Sequence, residues 1–536
     1  MIKKKITALV LAAALPFSVY GCSTEKWIVQ EESESSASET SEDSATDDRF
    51  DSVELDTVKE HINEMLENSE ISGNSKKLEK NIDTLLSDYD HISEELTYLT
   101  IDYYKNWDDE KAEKKYDQCY EKYYVAGALL HYGFTNCYAV DEYSELFAPY
   151  AEPEDVDYYT NRAMSMERIE GYTRVDYSIS DSYLDEYYDI VNDTKKKDSE
   201  KNIAAAELYL DILSTYSADT LYDYYDRDYS PEDIFALSGV IRSELTPVTE
   251  NIMDILSKIP EYEELYNAPD RRSNVFELIS WYASDISYDI GIAAEELYDN
   301  KNYTIGKGDN SYNVPLTIGL PVQNSAVIYT YNYGDCLDFS DAVHEFGHYY
   351  ALCQDDTPAF LEYNNIDIAE IQSQGMEALF MEQFDSIFSN KADAMRLTKL
   401  YDMLNAVLSG FTIGEFEYNV LKNIDTMTPD DVIDYYNSLT ENYDTEAPFY
   451  SFSHIFEQPG YYISYGVSAL AALNIWETSL DDYGKAVEMY ENIASISCNS
   501  GEYQFRTALS ESGFSDVLSE DYIKQLNTKL AGFIEQ

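Results

Sequence analysis

The chain of 536 residues carries 103 acidic and 36 basic side chains, which gives a formal net charge of −67. Hydrophobic residues make up 44% of the sequence, and this apolar fraction excludes wholesale disorder. The acidity argues against a protein that binds nucleic-acid phosphates, because counterion release needs a basic surface.

The N-terminal segment has the features of an export signal. Three lysines at positions 3–5 precede an apolar stretch over residues 6–19, and a Gly-Cys pair ending at Cys22 follows. This pattern predicts a secretory signal over residues 1–21. A small residue directly before the cysteine resembles a bacterial lipobox, in which cleavage leaves a lipidated N-terminal cysteine. We therefore expect an exported lipoprotein, held on the extracytoplasmic face of the cell membrane by lipid on Cys22. The alternative is an ordinary signal peptide followed by a chance cysteine.

The segment after Cys22 is acidic and polar. Residues 33–48 consist of Ser, Glu, Asp, Ala and Thr, with no aromatic residue. Such a composition cannot bury enough apolar surface to fold, and its charges extend it. We predict a disordered tether over residues 22–50.

From residue 51 onward, helical patterns dominate. Ser230-Pro231 and Thr428-Pro429 each combine an N-cap residue with proline at the first helical position. The polar stretches 195–202 and 300–313 are predicted loops. We expect a mainly α protein with a helical N-terminal region over residues 51–310. A second region over residues 311–536 contains the motifs described below.

One short segment is rich in β-forming residues. Residues 326–331, Ala-Val-Ile-Tyr-Thr-Tyr, are predicted to form a strand. A strand at this place could bind an extended peptide along its edge.

The cysteines do not indicate a disulfide framework. Five remain after Cys22, and none forms a C-x-x-C pair. A single bridge between Cys119 and Cys137 is left open.

The strongest motif is His-Glu-Phe-Gly-His over residues 344–348. On a helix, His344 and His348 share one face, so both imidazoles can reach one metal ion. Glu345 lies beside them and can take a proton from a metal-bound water. The alternative is a pair of surface histidines on an acidic helix. Asp338 or Ser340 would cap the start of this helix.

Catalytic zinc usually has three protein ligands and one open position. Glu370 is the predicted third ligand, within a helix-like run over residues 366–384, and Glu362 is a weaker alternative. Glu377 falls on the same helical face as Glu370. It is predicted to accept a hydrogen bond from a ligand histidine, which would fix the tautomer of that histidine. The alternative for Glu377 is a solvated acid.

These motifs resemble the thimet oligopeptidase family of zinc peptidases, and its bacterial oligoendopeptidase branch most of all. The shared features are His-Glu-Phe-Gly-His at 344–348, Glu-x-x-Ser-Gln-x-x-Glu at 370–377, and an Asn- and Tyr-rich lead-in at 331–335. The resemblance implies a large, mainly helical, two-lobed body that encloses a channel, with a small β element beside the zinc helix. It also implies one Zn²⁺ per chain, bound by His344, His348 and Glu370.

A downstream segment resembles the His- and Tyr-rich segment of that family. It contains His454, Tyr461, Tyr462 and Tyr465. The resemblance implies that His454 and Tyr465, with Tyr461 or Tyr462, donate hydrogen bonds to the oxyanion of the tetrahedral intermediate. The alternative is that these tyrosines only pack in a tyrosine-rich protein.

The sequence thus predicts an extracytoplasmic, membrane-anchored zinc endopeptidase that hydrolyses short peptides. The alternative from a different class is a peptide-binding surface lipoprotein with a non-catalytic zinc site. The expected partner is an oligopeptide substrate. Nucleic acid is not expected, and the membrane is contacted only through the N-terminal lipid. The oligomeric state is left open.

Overall fold

A computed structural model describes the chain in several stretches, and the structural statements below refer to them. They are residues 49–151, 179–217, 221–222, 225–267, 274–308, 310–363, 365–440 and 448–535. The predicted signal, Cys22 and nearly all of the predicted tether lie outside the described residues. Among the helices that are described, none is both long enough and apolar enough to cross a membrane.

The first helices pack around a core of their own. They are α1 (Leu55–Ser69), α2 (Ser75–Lys105), α3 (Glu110–Tyr138) and the short α4 (Ser144–Phe147). Val58, Leu85 and Leu129 belong to this core and are fully buried. Cys119 and Cys137 on α3 are buried free thiols, and burial raises the pKa of each to about 12. The bridge left open by the sequence is therefore not formed.

A second set of helices leads to the sheet. They are α5 (Ile179–Asn192), α6 (Asp198–Leu213), α7 (Pro231–Ala236), α8 (Ser238–Leu256), α9 (Pro260–Asn267), α10 (Val275–Tyr282) and α11 (Tyr288–Asn300). The predicted start at Ser230 is confirmed, since its hydroxyl accepts a hydrogen bond from the Asp233 amide at 3.2 Å. The predicted loop over residues 195–202 is wrong in its second half. Helix α6 begins at Asp198, where acidic residues in the first turn favour helix formation.

The sheet has three strands in the order β1-β3-β2. They are β1 (Tyr303–Gly306), β2 (Leu316–Leu320) and β3 (Ser325–Tyr331). Strand β1 pairs parallel to β3, and β2 pairs antiparallel to it. The predicted strand is confirmed as β3, but its proposed role in edge addition is wrong, because both edges of β3 are already paired. The predicted loop over residues 300–313 contains β1. This segment is a strand because it pairs with β3, and its own sequence does not indicate that pairing.

The remaining helices complete the body. They are α12 (Leu337–Leu352), α13 (Ile366–Phe380), α14 (Phe384–Phe388), α15 (Ala392–Lys422), α16 (Pro429–Thr440), α17 (His454–Glu457), α18 (Tyr462–Asp481), α19 (Tyr483–Ala494), α20 (Phe505–Glu511) and α21 (Glu520–Ile534). The run predicted over residues 366–384 is divided, because a 3₁₀ turn at Met381–Gln383 separates α13 from α14. The prediction of a mainly α fold, with a small β element beside α12, is confirmed.

Helix α13 lies at the centre of the protein. All 15 of its residues are buried, and it packs against α12, α18 and α19. One continuous apolar core extends from Tyr222 to Leu530. It therefore includes residues of both predicted regions, which meet at position 310. The sheet likewise takes β1 from one side of that position and β2 and β3 from the other.

Glycines permit the closest contact between α15 and α18. A Cβ atom added at Gly410 would lie 2.5 Å from the backbone nitrogen of Gly466 and 2.7 Å from its Cα. These distances are shorter than van der Waals contact, and backbone atoms cannot move aside as a flexible side chain can. The two helices can therefore approach this closely only with glycine at position 410.

Gly410→Ala should lower the free energy of unfolding by about 1–3 kcal/mol, the usual cost of overpacking a core. Gly239→Ala on α8 is the matched control, because an added Cβ there meets no atom within 4 Å. That substitution should raise stability by up to about 1 kcal/mol, since alanine loses less conformational entropy in a helix. Urea unfolding midpoints of the two variants provide the measurement. Equal midpoints would contradict this account of the α15–α18 contact.

Candidate functional site

Two helices bring the three predicted metal ligands together. His344 and His348 lie on α12, and Glu370 lies on α13. One ligand atom from each residue lies within 4.8 Å of the others. Nε2 of His344 is 3.7 Å from a carboxylate oxygen of Glu370. Glu362, the alternative third ligand, is not part of this group within the described residues.

The glycine of the His-Glu-Phe-Gly-His motif sets the distance between α12 and α13. A Cβ atom at Gly347 would lie 2.5 Å from the carbonyl oxygen of Gln372 and 2.6 Å from the Cα of Ser373. Both of these are backbone atoms of α13. Any larger residue at position 347 would push the two helices apart and separate Glu370 from the histidines.

The start of α12 differs from the prediction. The helix begins at Leu337, so neither Asp338 nor Ser340 is its N-cap. Asp338 instead accepts hydrogen bonds from the backbone amides of Tyr333 and Gly334, both at 2.9 Å, and from the side chain of Asn332. The loop before the helix supplies three hydrogen-bond donors to this carboxylate. Asp338 therefore holds that loop against the first turn of α12.

Glu377 contacts His344 as the sequence predicts. Its Oε1 lies 2.7 Å from Nδ1 of His344, while Oε2 forms an ion pair with Lys399 on α15 and a 3.4 Å hydrogen bond with Ser340. Because a carboxylate accepts a hydrogen bond from Nδ1–H, this contact favours the tautomer of the neutral imidazole in which Nε2 carries no proton. Lys399 is a residue that sequence reasoning missed, since an ion pair between helices has no short-range signal.

Glu345 is also fixed by a neighbour that the sequence did not reveal. Its side chain is almost fully buried, and Thr317 Oγ1 on β2 donates a hydrogen bond to Oε2 at 2.6 Å. The hydroxyl therefore holds one of the two carboxylate oxygens in place. Thr317 lies 28 positions before Glu345. Only the packing of the sheet against α12 brings the two together.

The buried acids and imidazoles shift one another's pKa values. Burial lowers the pKa of His344, but Glu377, Glu370 and Glu345 outweigh it and raise that pKa to about 9. Burial lowers the pKa of His348, and the charge of His344 acts in the same direction. Burial raises the pKa of Glu345 to about 8 and also raises that of Glu370, although His344 opposes both shifts. Ionised carboxylates are thus costly here without a cation.

The donor set fits a divalent metal ion. Two imidazole nitrogens and one carboxylate oxygen are the ligands that catalytic zinc sites use, with a further position left open. Oε1 of Glu370 is buried and makes no hydrogen bond with the described residues. Nδ1 of His344 has its partner in Glu377, which leaves Nε2 as the ring nitrogen on the side of Glu370. The described residues could therefore hold a metal ion.

The His- and Tyr-rich segment forms one aromatic cluster. The ring centroid of His454 lies 6.2 Å from that of Tyr461, 6.1 Å from that of Tyr462 and 6.4 Å from that of Tyr465. Burial raises the pKa of both Tyr461 and Tyr465, and the charge of Glu370 raises each further. Burial also raises the pKa of Tyr462, and there the charge of Glu417 adds to the shift. Tyr461 and Tyr465, one helical turn apart, thus lie within electrostatic reach of Glu370.

The fold of most of the chain is similar to that of solved oligoendopeptidase structures. One, named oligoendopeptidase F, has a TM-score of 0.69 and 15% identity over 91% of this chain and 98% of its own. PZ peptidase A with an inhibitor has a TM-score of 0.69 and 13% identity over the same shares. An oligoendopeptidase F from Bacillus anthracis str. Ames has a TM-score of 0.67 and 15% identity, over 91% and 97%.

This chain has the oligoendopeptidase fold. The fold implied by the motif resemblance is therefore confirmed. By sequence, no family model and no curated protein matches the chain. At 13–15% identity the likeness covers the fold alone.

Lys399→Met should weaken metal binding, because it removes the cation that orients Glu377 and keeps the aliphatic stem. We expect the affinity for Zn²⁺ to fall by about 10- to 100-fold, as when outer partners of a metal ligand are lost. Competition with a chromogenic chelator measures this affinity. Lys422→Met at the exposed end of α15 is the matched control and should leave it unchanged. Equal affinities in the two variants would refute the role of Lys399.

Proposed function

We propose that this chain is a zinc-dependent endopeptidase that hydrolyses short peptides. The observation that carries the proposal is Glu345, a buried carboxylate adjacent to His344 and oriented by Thr317. A purely structural metal site needs no such base. The oligoendopeptidase fold of the chain adds support, because peptide hydrolysis is what the names of those structures describe.

His344, His348 and Glu370 would hold the metal in this proposal. Zn²⁺ bound by these residues would polarise the scissile carbonyl and acidify the attacking water. Glu377 keeps the proton of His344 on Nδ1, which maintains the ligand tautomer. The choice of zinc over other divalent ions rests on the two-histidine, one-carboxylate donor set.

Glu345 would perform the proton transfers. Its carboxylate accepts a proton from the attacking water and then delivers that proton to the leaving amine. Burial raises the pKa of Glu345. The positive charge of a bound Zn²⁺ would lower that pKa again, so that the carboxylate is ionised and can accept the proton. Thr317 holds the carboxylate in one orientation throughout.

The hydroxyls of Tyr461 and Tyr465 would stabilise the oxyanion. Both tyrosines have a raised pKa, so their hydroxyls stay protonated and can donate hydrogen bonds. Burial lowers the pKa of His454, which favours its neutral form. A neutral imidazole can still donate through one ring N–H.

Glu345→Gln should abolish peptide cleavage while metal binding remains, because glutamine cannot accept the proton. Mass spectrometry of a mixed oligopeptide library, incubated with the purified chain, would detect internal cleavages. We expect turnover to fall by at least about 100-fold, the lower range for loss of a general base. Glu477→Gln is the control, since Glu477 is also buried but binds Gln525 instead.

The control should cleave as the unmutated chain does. An active Glu345→Gln variant would refute the general-base role. If the unmutated chain binds zinc and cleaves no peptide, the endopeptidase proposal fails. The alternative would then be favoured, a peptide-binding surface lipoprotein with a non-catalytic zinc site.

We also propose that the chain is exported and anchored by lipid on Cys22. The basic, apolar and Gly-Cys segments over residues 1–22 support this localisation. Metabolic labelling with radioactive palmitate in a bacterial host should label the chain and leave Cys22→Ala unlabelled. Equal labelling of the two would place the lipid elsewhere, and no labelling of either would overturn the anchor.

A further inference from the structure

Arg227 is a buried cation to which the proposed chemistry gives no role. Its side chain has no exposed surface. Nη2 donates a hydrogen bond to the hydroxyl of Ser464 at 2.8 Å, and Nε lies 3.4 Å from Oδ2 of Asp367. Tyr229 donates a further hydrogen bond to the same oxygen at 2.7 Å. The guanidinium thus joins two helices through side chains that are themselves buried.

Tyrosine rings surround the guanidinium. Its central carbon lies 4.9 Å from the ring centroid of Tyr222, 4.4 Å from that of Tyr225 and 5.8 Å from that of Tyr229. These are cation–π distances. The hydroxyl of Tyr225 donates to the carbonyl oxygen of Pro459 at 3.1 Å. The same cluster therefore also holds the turn that precedes Tyr461.

The two partners of Arg227 belong to the two halves of the candidate site. Asp367 lies on α13, three residues before Glu370, which is a metal ligand in the proposal. Ser464 lies on α18 between Tyr461 and Tyr465, the proposed oxyanion donors. One planar group therefore contacts the helix of the metal ligand and the helix of the oxyanion donors.

Stability alone does not account for an arginine at this place. A buried ion pair can often be replaced by apolar residues without loss of stability, because desolvation offsets the attraction. A guanidinium instead provides rigid, directional donors in a single plane, which fixes the geometry of its partners. Here the partners are Asp367 and Ser464, and their relative position sets that of Glu370 and the tyrosines.

We propose that Arg227 is a positioning residue for the peptidase reaction. It holds Tyr461 and Tyr465 in register with Glu370, so that the oxyanion donors and the metal ligand act on one carbonyl group. This inference rests on the proposed function. It adds that a residue of the N-terminal region, far from the motifs in sequence, determines the turnover rate.

Arg227→Met should lower kcat by about 100-fold, as a displacement of about 1 Å in a catalytic group can do. KM and the affinity for Zn²⁺ should stay within about twofold, since ground-state binding and the metal ligands are retained. Arg227→Lys should be intermediate, because lysine keeps the charge but cannot donate in two fixed directions. A rise in KM, or a fall in zinc affinity, as large as the fall in kcat would overturn the proposal.

A second pair of variants avoids breaking the buried ion pair. Ser464→Ala removes the partner of Arg227 on α18 and should lower kcat by about 10-fold, a fraction of the effect of a lost oxyanion donor. Ser479→Ala is the control on the same helix. Ser479 donates to the backbone carbonyl of Trp476 at 2.7 Å, so its hydrogen bond stays within α18. Equal kcat values in the two variants would contradict the proposal.

A double-mutant cycle separates positioning from simple stabilisation. If Arg227 acts through Tyr465, Arg227→Met should cost much less in a Tyr465→Phe background than in the unmutated chain. An equal fold-change of kcat in both backgrounds would show that Arg227 does not act through Tyr465 and would overturn the positioning role. If the unmutated chain itself lacks turnover, the proposed function fails first, and Arg227 then has no reaction to serve.

Discussion

The site depends on a close approach of two helices that buries several ionisable groups together. Gly347 lets α12 and α13 come within backbone contact, and this contact brings Glu370 to the histidines. The same approach removes Glu345 and Glu377 from water. Carboxylates in such surroundings are costly unless cations or hydrogen-bond donors compensate them. The partners of each acid therefore determine what the site can do.

Each buried acid has a different compensation, and this separates their roles. Glu377 has Lys399 and His344 as partners, and these lower its pKa to about 2 against the effect of burial. Burial raises the pKa of Glu345, and the charge of His344 and the neutral donor Thr317 offset this only in part. Glu377 therefore remains an ionised acceptor, whereas the protonation of Glu345 depends on the charges beside it. Divergent environments for chemically identical groups are typical of sites where acids and bases have assigned tasks.

The sequence predicted those features that depend on local spacing. His344 and His348 are one turn apart on a helix, and Glu370 and Glu377 recur on one face of the next helix, so periodicity alone relates them. It also predicted β3 but not its central place in the sheet, because pairing with β1 depends on contacts between distant segments. Thr317, Lys399 and Arg227 were missed for the same reason. Each reaches the site from another element, and no short-range pattern marks such a contact.

These missed residues share a physical purpose. The groups of the proposed chemistry lie on helices α12 and α13 and at the start of α17 and α18, and each helix alone leaves its side chains free to rotate. Thr317 comes from the sheet, Lys399 from α15 and Arg227 from the segment before α7, and each fixes one side chain or one helix pair. Rotamers locked by such supporting contacts keep a reactive arrangement within the narrow tolerance that catalysis needs. A short motif supplies the reactive groups, but only elements distant in sequence can hold them still. This requirement explains why so small a site needs so large a helical body.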